Sequence, residues 1–325
     1  MDFRKVIERN KMITKVVILF YILIMFVVGI LADILLFSHS QLSFTENFLL
    51  FATFKKTPIA TMIIMSLTVI GILGIKIFGH KIMLSGINAR EVKEFGEGAS
   101  NSEDKLKETR LFNIIQELAL SASLGYTPKL YILETDEMNA FAAGWDSRNA
   151  LVGITRGLLN NLNREEVKAV MAHEIGHIIN GDSRLTLYVG ILANVILTVT
   201  NLFSNIYFII FRSNDNQAAR TASLLIILMN LILPLITQVL YLFLSRKREY
   251  MADATAVKLM GYSDPMINAL LKISGHYENG ENEDKLTKSA GESYRSAAYI
   301  YKSGDSIFST HPSIENRIKE LKNIS

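Results

Sequence analysis

The residues with the clearest chemical potential are His173, Glu174 and His177, in the run Met171-Ala-His-Glu-Ile-Gly-His177. Histidines four apart project from one face of a helix, so both imidazoles can share one metal ion. Glu174 is turned about 100° from His173, where its carboxylate can reach a water on that ion. This is the H-E-x-x-H zinc pattern: two rings bind, and the glutamate moves a proton. The flanking sequence supplies the helix that the pattern needs. Asn163 is an N-cap with Glu166 three residues on, a variant of the capping box. Val167, Val170, Met171, Ile175, Ile178 and Ile179 recur at helical spacing, and Asn180-Gly181 is a stop. A helix over about 164–180 is therefore predicted. Its apolar face reads as core rather than lipid-facing, because Glu165, Glu166 and Lys168 lie on it.

A catalytic zinc wants three protein ligands and one open position. The chain has no cysteine, and its other histidines are His39, His80, His276 and His311. A better source of the third ligand is the run Ser245-Arg-Lys-Arg-Glu249-Tyr-Met-Ala-Asp253. Glu249 and Asp253 are again i and i+4 on one helix face. Alone they read as a solvated charge pair beside Arg246–Arg248. Beside an H-E-x-x-H, Glu249 becomes a candidate ligand, and Asp253 a candidate acceptor for the free ring nitrogen of a ligand histidine.

The elements that must position these residues are dominated by four apolar blocks. They span 16–37, 58–78, 185–211 and 221–244, each long enough to cross a hydrocarbon core of about 30 Å as a helix. The first two carry one charge each, Asp33 and Lys76, and the last two carry none. The expected organisation follows: a cytoplasmic tail over 1–15, four transmembrane helices, and a hydrophilic domain made of 79–184 and 245–325, split by the third and fourth spans. Lys and Arg concentrate on the side of the termini and the hydrophilic segments (Arg4, Lys5, Arg9, Lys11, Lys15 and Arg246–Arg248 among them). The two short loops hold only Lys55, Lys56, Arg212 and Arg220. That bias places both termini and the metal residues in the cytoplasm. If one ion joins His177 to Glu249, chain reach puts it roughly 10 Å from the membrane face. The stretch Tyr277–Asp305, rich in Gly, Glu, Asp, Lys and Ser, reads as a mobile excursion.

Composition removes several function classes. A formal charge of +3 gives no bulk attraction for nucleic acid. The lack of cysteine excludes disulfides, thiol nucleophiles and Cys-ligated metal. On the last two spans, Asn194, Thr198, Asn201 and Asn205 share one face, and Asn230, Thr237, Gln238 and Tyr241 share another. These fit either interhelical hydrogen bonding or a polar groove for an extended peptide.

Several segments together carry a resemblance: Asn139-Ala-Phe141, Val152-Gly-Ile-Thr155-Arg-Gly-Leu-Leu159, His173-Glu-Ile-Gly-His177, Ser245-Arg-Lys-Arg-Glu249-Tyr-Met-Ala-Asp253 and His311-Pro312. In this order, and over the whole chain, they resemble the HtpX membrane metalloproteases, relatives of the CAAX prenyl endopeptidases. The chain departs mildly at Ala143, where Thr or Ser is more usual. The resemblance implies a mainly α fold with a small β-sheet (α+β), a gluzincin-like domain on a four-span membrane protein, and one Zn2+ per chain. It implies that His173, His177 and Glu249 ligate the zinc, and that Glu174 is the catalytic base. Asn139 would lie near the substrate backbone. His311 and Arg317 would sit at the cleft, stabilising the oxyanion or orienting Asp253 or Glu249. It further implies an edge strand that adds a peptide by backbone pairing, with Ala150–Thr155 reading as the strand.

The implied activity is endopeptidase cleavage of misfolded or damaged membrane proteins at the cytoplasmic face of a bacterial or archaeal plasma membrane. The implied setting is stress-linked quality control beside the membrane ATP-dependent protease. Three other readings are weighed: an intramembrane metalloprotease, a CAAX-type enzyme, and a non-catalytic scaffold with structural zinc. The first would place the motif inside a span, the second has more spans and a prenylated substrate, and the third would close the fourth zinc position.

Overall fold

A computed structural model of the chain describes residues 3–37, 42–85, 88–97, 99, 101–144, 150–210, 217–242, 246–278 and 312–324. His311 and nearly all of Tyr277–Asp305 lie outside these residues. The fold is mostly helical with one small mixed sheet. In chain order the elements are α1 (Phe3–Phe37), α2 (Phe44–Ala52), α3 (Ile59–Met83), β1 (Ala89–Val92), α4 (Ser102–Ser121), β2 (Lys129–Leu133), β3 (Ala140–Gly144) and β4 (Ala150–Thr155). They continue with α5 (Arg156–Asn161), α6 (Arg164–Asn180), α7 (Asp182–Ile210), α8 (Gln217–Leu242), α9 (Lys247–Met260), α10 (Asp264–Glu278) and α11 (Ile314–Ile324). Two compact units result. One comprises Met1–Ile13, Phe78–Gly190 and Tyr241–Ser325; the other comprises Thr14–Ile77 and Ile191–Leu240.

The second unit holds most of the stretches Ile7–Ile34 and Ile59–Gly79 of α1 and α3, which are long and apolar enough to cross a membrane, with mean hydropathies of 2.8 and 2.2. The one charge in the first block has a structural use. Asp33 is fully buried and accepts the backbone N–H groups of Ala60 and Thr61 at 2.8 and 2.9 Å, and the Thr61 hydroxyl at 2.6 Å. A carboxylate thereby satisfies orphan donors at the start of α3, where the helix dipole favours negative charge. Gly29 lets the two helices touch: a Cβ there would stand 2.7 Å from the Thr61 Cα. On the last two long helices, Thr198, Asn201, Asn205 and Asn230 are exposed. Thr237 donates its hydroxyl to the Leu233 carbonyl of its own helix at 3.0 Å.

In the first unit the strand order is β1-β2-β4-β3. β1 is antiparallel to β2, β2 parallel to β4, and β4 antiparallel to β3. This corrects the assignment of Ala150–Thr155 as the edge strand. β4 pairs on both sides, and β3 is the outer strand on that flank. The cause is non-local: β4 inserts between two strands that precede it in sequence. Two glycines of the Val152–Leu159 run permit close approach. A Cβ on Gly153 would lie 2.4 Å from the Phe141 ring, and one on Gly157 would lie 2.1 Å from the Asp136 carbonyl oxygen. Thr155 ends β4 and caps α5 through its hydroxyl, which accepts from Leu158 N–H at 3.3 Å. Arg156 then reaches the fully buried Glu108 at 3.1 Å and Glu134 at 2.7 Å, and Arg90 pairs with Glu108 as well. That cluster ties α4 to the sheet.

One apolar core joins α4, the sheet, α6, α9 and α10. α1 starts at Phe3, so the chain before the first apolar block is already helical, and its first turns belong to this unit.

Candidate metal centre

α6 forms as its sequence dictates. The Asn163 side chain accepts from Glu166 N–H at 2.9 Å, and the Glu166 carboxylate accepts from Asn163 N–H at 2.8 Å. Gly181 closes the helix in the left-handed region at φ 70°. Val167, Val170, Met171, Ile175 and Ile178 all enter the core, which turns the histidine face toward α9. The crossing of α6 and α9 is close because Gly176 presents no side chain. A Cβ there would meet the Ala252 Cα and carbonyl oxygen and the Thr255 Cβ at 3.2 Å. α9 is also fastened to the start of α7, where Arg248 donates to the Thr186 hydroxyl at 2.9 Å.

This crossing brings His173, His177 and Glu249 together, with ligand atoms within 4.8 Å of one another. The two Nε2 atoms are 3.1 Å apart, and each lies 3.6 Å from an oxygen of Glu249. Zinc–ligand bonds of about 2.0–2.1 Å at tetrahedral angles give donor separations of roughly 3.3 Å. The residues therefore fit the group. The outer ring nitrogens fix the tautomers. His173 donates its Nδ1–H to Asp253 at 2.8 Å, and His177 donates its own to Asp182 at 3.2 Å. Each Nε2 then carries a lone pair, and two facing lone pairs repel unless a cation or a proton lies between them. The proton affinity of His173 expresses the same demand. Burial favours its neutral ring, but hydrogen bonds to Asp253 and Glu249 outweigh burial and push the pKa up to about 9.

Glu174 is buried beside this triad, and neither of its carboxylate oxygens has a hydrogen-bond partner among the described residues. Burial pushes its carboxyl up, against the pull of His173 and His177. A buried carboxylate without a partner is costly, so its place beside the triad marks it as a group with a role in the chemistry.

Arg317, from α11, is 1% exposed. It forks onto Asp253 through Nε at 2.9 Å and Nη2 at 2.7 Å, and its Nη1 stands 3.9 Å from Glu249. Burial pushes the Asp253 carboxyl up, but Arg317 and His173 outweigh that effect and hold it below the ordinary carboxylate range. Of the two roles expected for Arg317, this arrangement favours orienting Asp253. Asn139 stands at the start of β3, a strand that packs on α6. Its backbone N–H donates to the Thr155 hydroxyl at 2.9 Å, and its side-chain oxygen accepts from Ala140 N–H at 3.1 Å. Asp182 was not singled out in the sequence. Its signal was an acidic residue five positions past His177, just after the Asn180-Gly181 stop.

Two imidazoles and a carboxylate converging at one point, with a buried glutamate beside them on an H-E-x-x-H helix, are the equipment of a metalloprotease. The model of peptidase family M48 matches residues 105–325. A protease HtpX homolog of Helicobacter acinonychis (strain Sheeba) is 39% identical over 323 residues, covering 99% of this chain and 98% of that one. One of Helicobacter pylori (strain Shi470) is 39% identical over 98% of each chain. One of Dictyoglomus turgidum (strain DSM 6724 / Z-1310) is 33% identical over 65% of this chain and 68% of its own. A crystal structure of S. mikatae Ste24p aligns with a TM-score of 0.44 and 21% identity, over 84% of this chain and 60% of that one. The chain belongs to peptidase family M48, with the HtpX-type proteases as its relatives.

Proposed function

We propose that this metalloprotease is a zinc-dependent membrane endopeptidase that cleaves misfolded or damaged membrane proteins at the cytoplasmic face of a plasma membrane. The observation that carries the reading is the convergence of buried His173 and Glu249 with the partly buried His177, beside a Glu174 carboxylate that has no hydrogen-bond partner among the described residues. These three residues would hold the zinc. When bound, it would supply Lewis acidity, bringing the pKa of a bound water toward 7 and polarising the scissile carbonyl. Glu174 takes the water proton and returns it to the leaving amine. Asp253 and Asp182 keep the two rings oriented, with Arg317 holding Asp253 in place. His311, in the His-Pro segment before α11, offsets charge on the oxyanion. Substrate backbone pairs along β3, the outer strand that follows Asn139.

The membrane setting draws support from Leu19, Leu23, Val27, Met62, Leu67, Ile70 and Ile77, all exposed on α1 and α3. Apolar faces of that extent suit lipid. In this reading α7 and α8 also cross, interrupting the catalytic domain, and both termini are cytoplasmic. Extended, partly unfolded membrane-protein segments then meet the site as they leave the bilayer, which fits a part in stress-linked quality control beside a membrane ATP-dependent protease.

The test is cleavage of a membrane-protein substrate by the full chain in detergent or proteoliposomes. Wild type is expected to cleave cytoplasmic segments only when zinc is present. Glu174→Gln is expected to keep the metal and lose cleavage. Wild-type turnover in Glu174→Gln would remove the base role, and cleavage at mid-span would replace this reading with intramembrane proteolysis.

A further inference from the structure

The first turns of α1 lie outside the region matched by the family model, yet they reach the metal-binding helix. Asn10 is 2% exposed. Its Nδ2 donates to the Asn180 carbonyl at 3.0 Å and to Asp182 Oδ1 at 2.6 Å. The other oxygen of Asp182 accepts from His177 Nδ1–H at 3.2 Å. The left-handed turn at Gly181 makes the chain possible. It ends α6 one residue before Asp182 and lets that side chain fold back onto a ring five positions earlier. Ile7, one helical turn before Asn10, is the neighbour that a Cβ on Gly181 would touch, at 3.8 Å. Asn10 and Ile7 thus present one face of α1 to the end of α6.

A carboxylate held only by His177 could turn about its own bonds. Here one oxygen is anchored, and the other is left to the ring. The anchor is a neutral amide, so it fixes Asp182 without cancelling its charge, which continues to raise the donor strength of the opposite ring nitrogen.

We propose that Asn10 is a positioning residue of the metal centre: through Asp182 it fixes the orientation of His177, making the N-terminal helix part of the metal-binding apparatus. The proposal rests on His177 being a ligand. The experiment compares zinc dissociation constants, by chelator competition, and cobalt-substituted absorption spectra for the full chain in detergent. The variants are wild type, Asn10→Leu, Asp182→Ala and the double variant. Loss of an outer partner of a ligand histidine weakens metal binding about 10–100-fold. Asp182→Ala is expected to fall in that range; Asn10→Leu is expected to show a smaller loss with an altered cobalt spectrum, and to add little once Asp182 is Ala. Wild-type affinity and spectrum in Asn10→Leu would overturn the proposal. So would an equal loss in both backgrounds, which would mark Asn10 as a general support of the fold. A wild-type chain that binds no metal would overturn the metal reading itself, and this proposal with it. If Asn10→Leu does not fold, Asn10→Ser is measured in its place, since one short hydroxyl donor cannot serve both partners.

Discussion

Replacing Arg317 by Leu should damage the protein through a residue that touches no metal. The side chain is 1% exposed, forks onto Asp253 at 2.9 and 2.7 Å, and brings Nη2 to 3.3 Å from His173 Nδ1. Asp253 is itself buried, and its remaining contact is the His173 ring. Removing the guanidinium leaves the buried Asp253 carboxylate with the His173 ring as its remaining side-chain partner among the described residues. Breaking a buried ion pair from one side costs about 3–5 kcal/mol. At about 2–4 °C per kcal/mol for a domain of this size, the unfolding midpoint should fall by roughly 6–20 °C. Pairing the change with Asp253→Asn removes the stranded charge and should recover a substantial part of that loss. The assay is thermal unfolding of the full chain in detergent with a chelator present, so that metal binding does not contribute. The chelator-free measurement then reads the lost orientation of His173 separately, as weaker zinc binding. An Arg317→Leu protein that melts within about 1 °C of wild type would refute the reasoning, because a 1%-exposed arginine would then carry no pairing energy.

Other perturbations probe separate parts of the structure. Gly176→Ala sets a helix-propensity gain of about 1 kcal/mol against overpacking of about 1–3 kcal/mol at Ala252 and Thr255. It should range from neutral to about 2 kcal/mol destabilising, whereas Gly176→Leu should force α6 from α9 and weaken zinc binding; a Leu variant with the wild-type dissociation constant would contradict the crossing. Asp33→Leu removes the acceptor for three donors at the start of α3 and should lower stability by about 1.5–3 kcal/mol, read as a drop in the unfolding midpoint. The Arg156 hydrogen bond holds the Glu134 carboxyl below its ordinary range. A depressed folded value means the pair's contribution is present at neutral pH and lost as pH falls through that value. Glu134→Gln should therefore show a shallower loss of stability in acid than wild type; superimposable curves would remove the linkage.

The parts of this molecule that could be read from sequence are local ones. The α6 boundaries, its capping box and the convergence of His173 with His177 all follow from spacing within one helix. Glu249 and Asp253 were readable as a pair for the same reason. That they meet α6 required the metal pattern and the resemblance, since their contacts with His173 span 76 and 80 positions. What stayed hidden depends on distant chain segments meeting. The sheet order could not be read, because nothing within Ala150–Thr155 tells that β4 inserts between β2 and β3. Asn10 and Asp182 lie 172 positions apart, and each alone looks like an ordinary polar residue near a helix end. Arg156 follows Thr155 in the Val152–Leu159 run, but its partner Glu108 is buried on another helix.

The most direct test of the account is X-ray absorption of the full-length Glu174→Gln protein loaded with zinc, alongside the same protein carrying Glu249→Ala. The expected result is one ion per chain, bound by two imidazole nitrogens and a carboxylate oxygen, and loss of that ion when Glu249 is truncated. Full zinc occupancy with an unchanged ligand set after Glu249→Ala would contradict it.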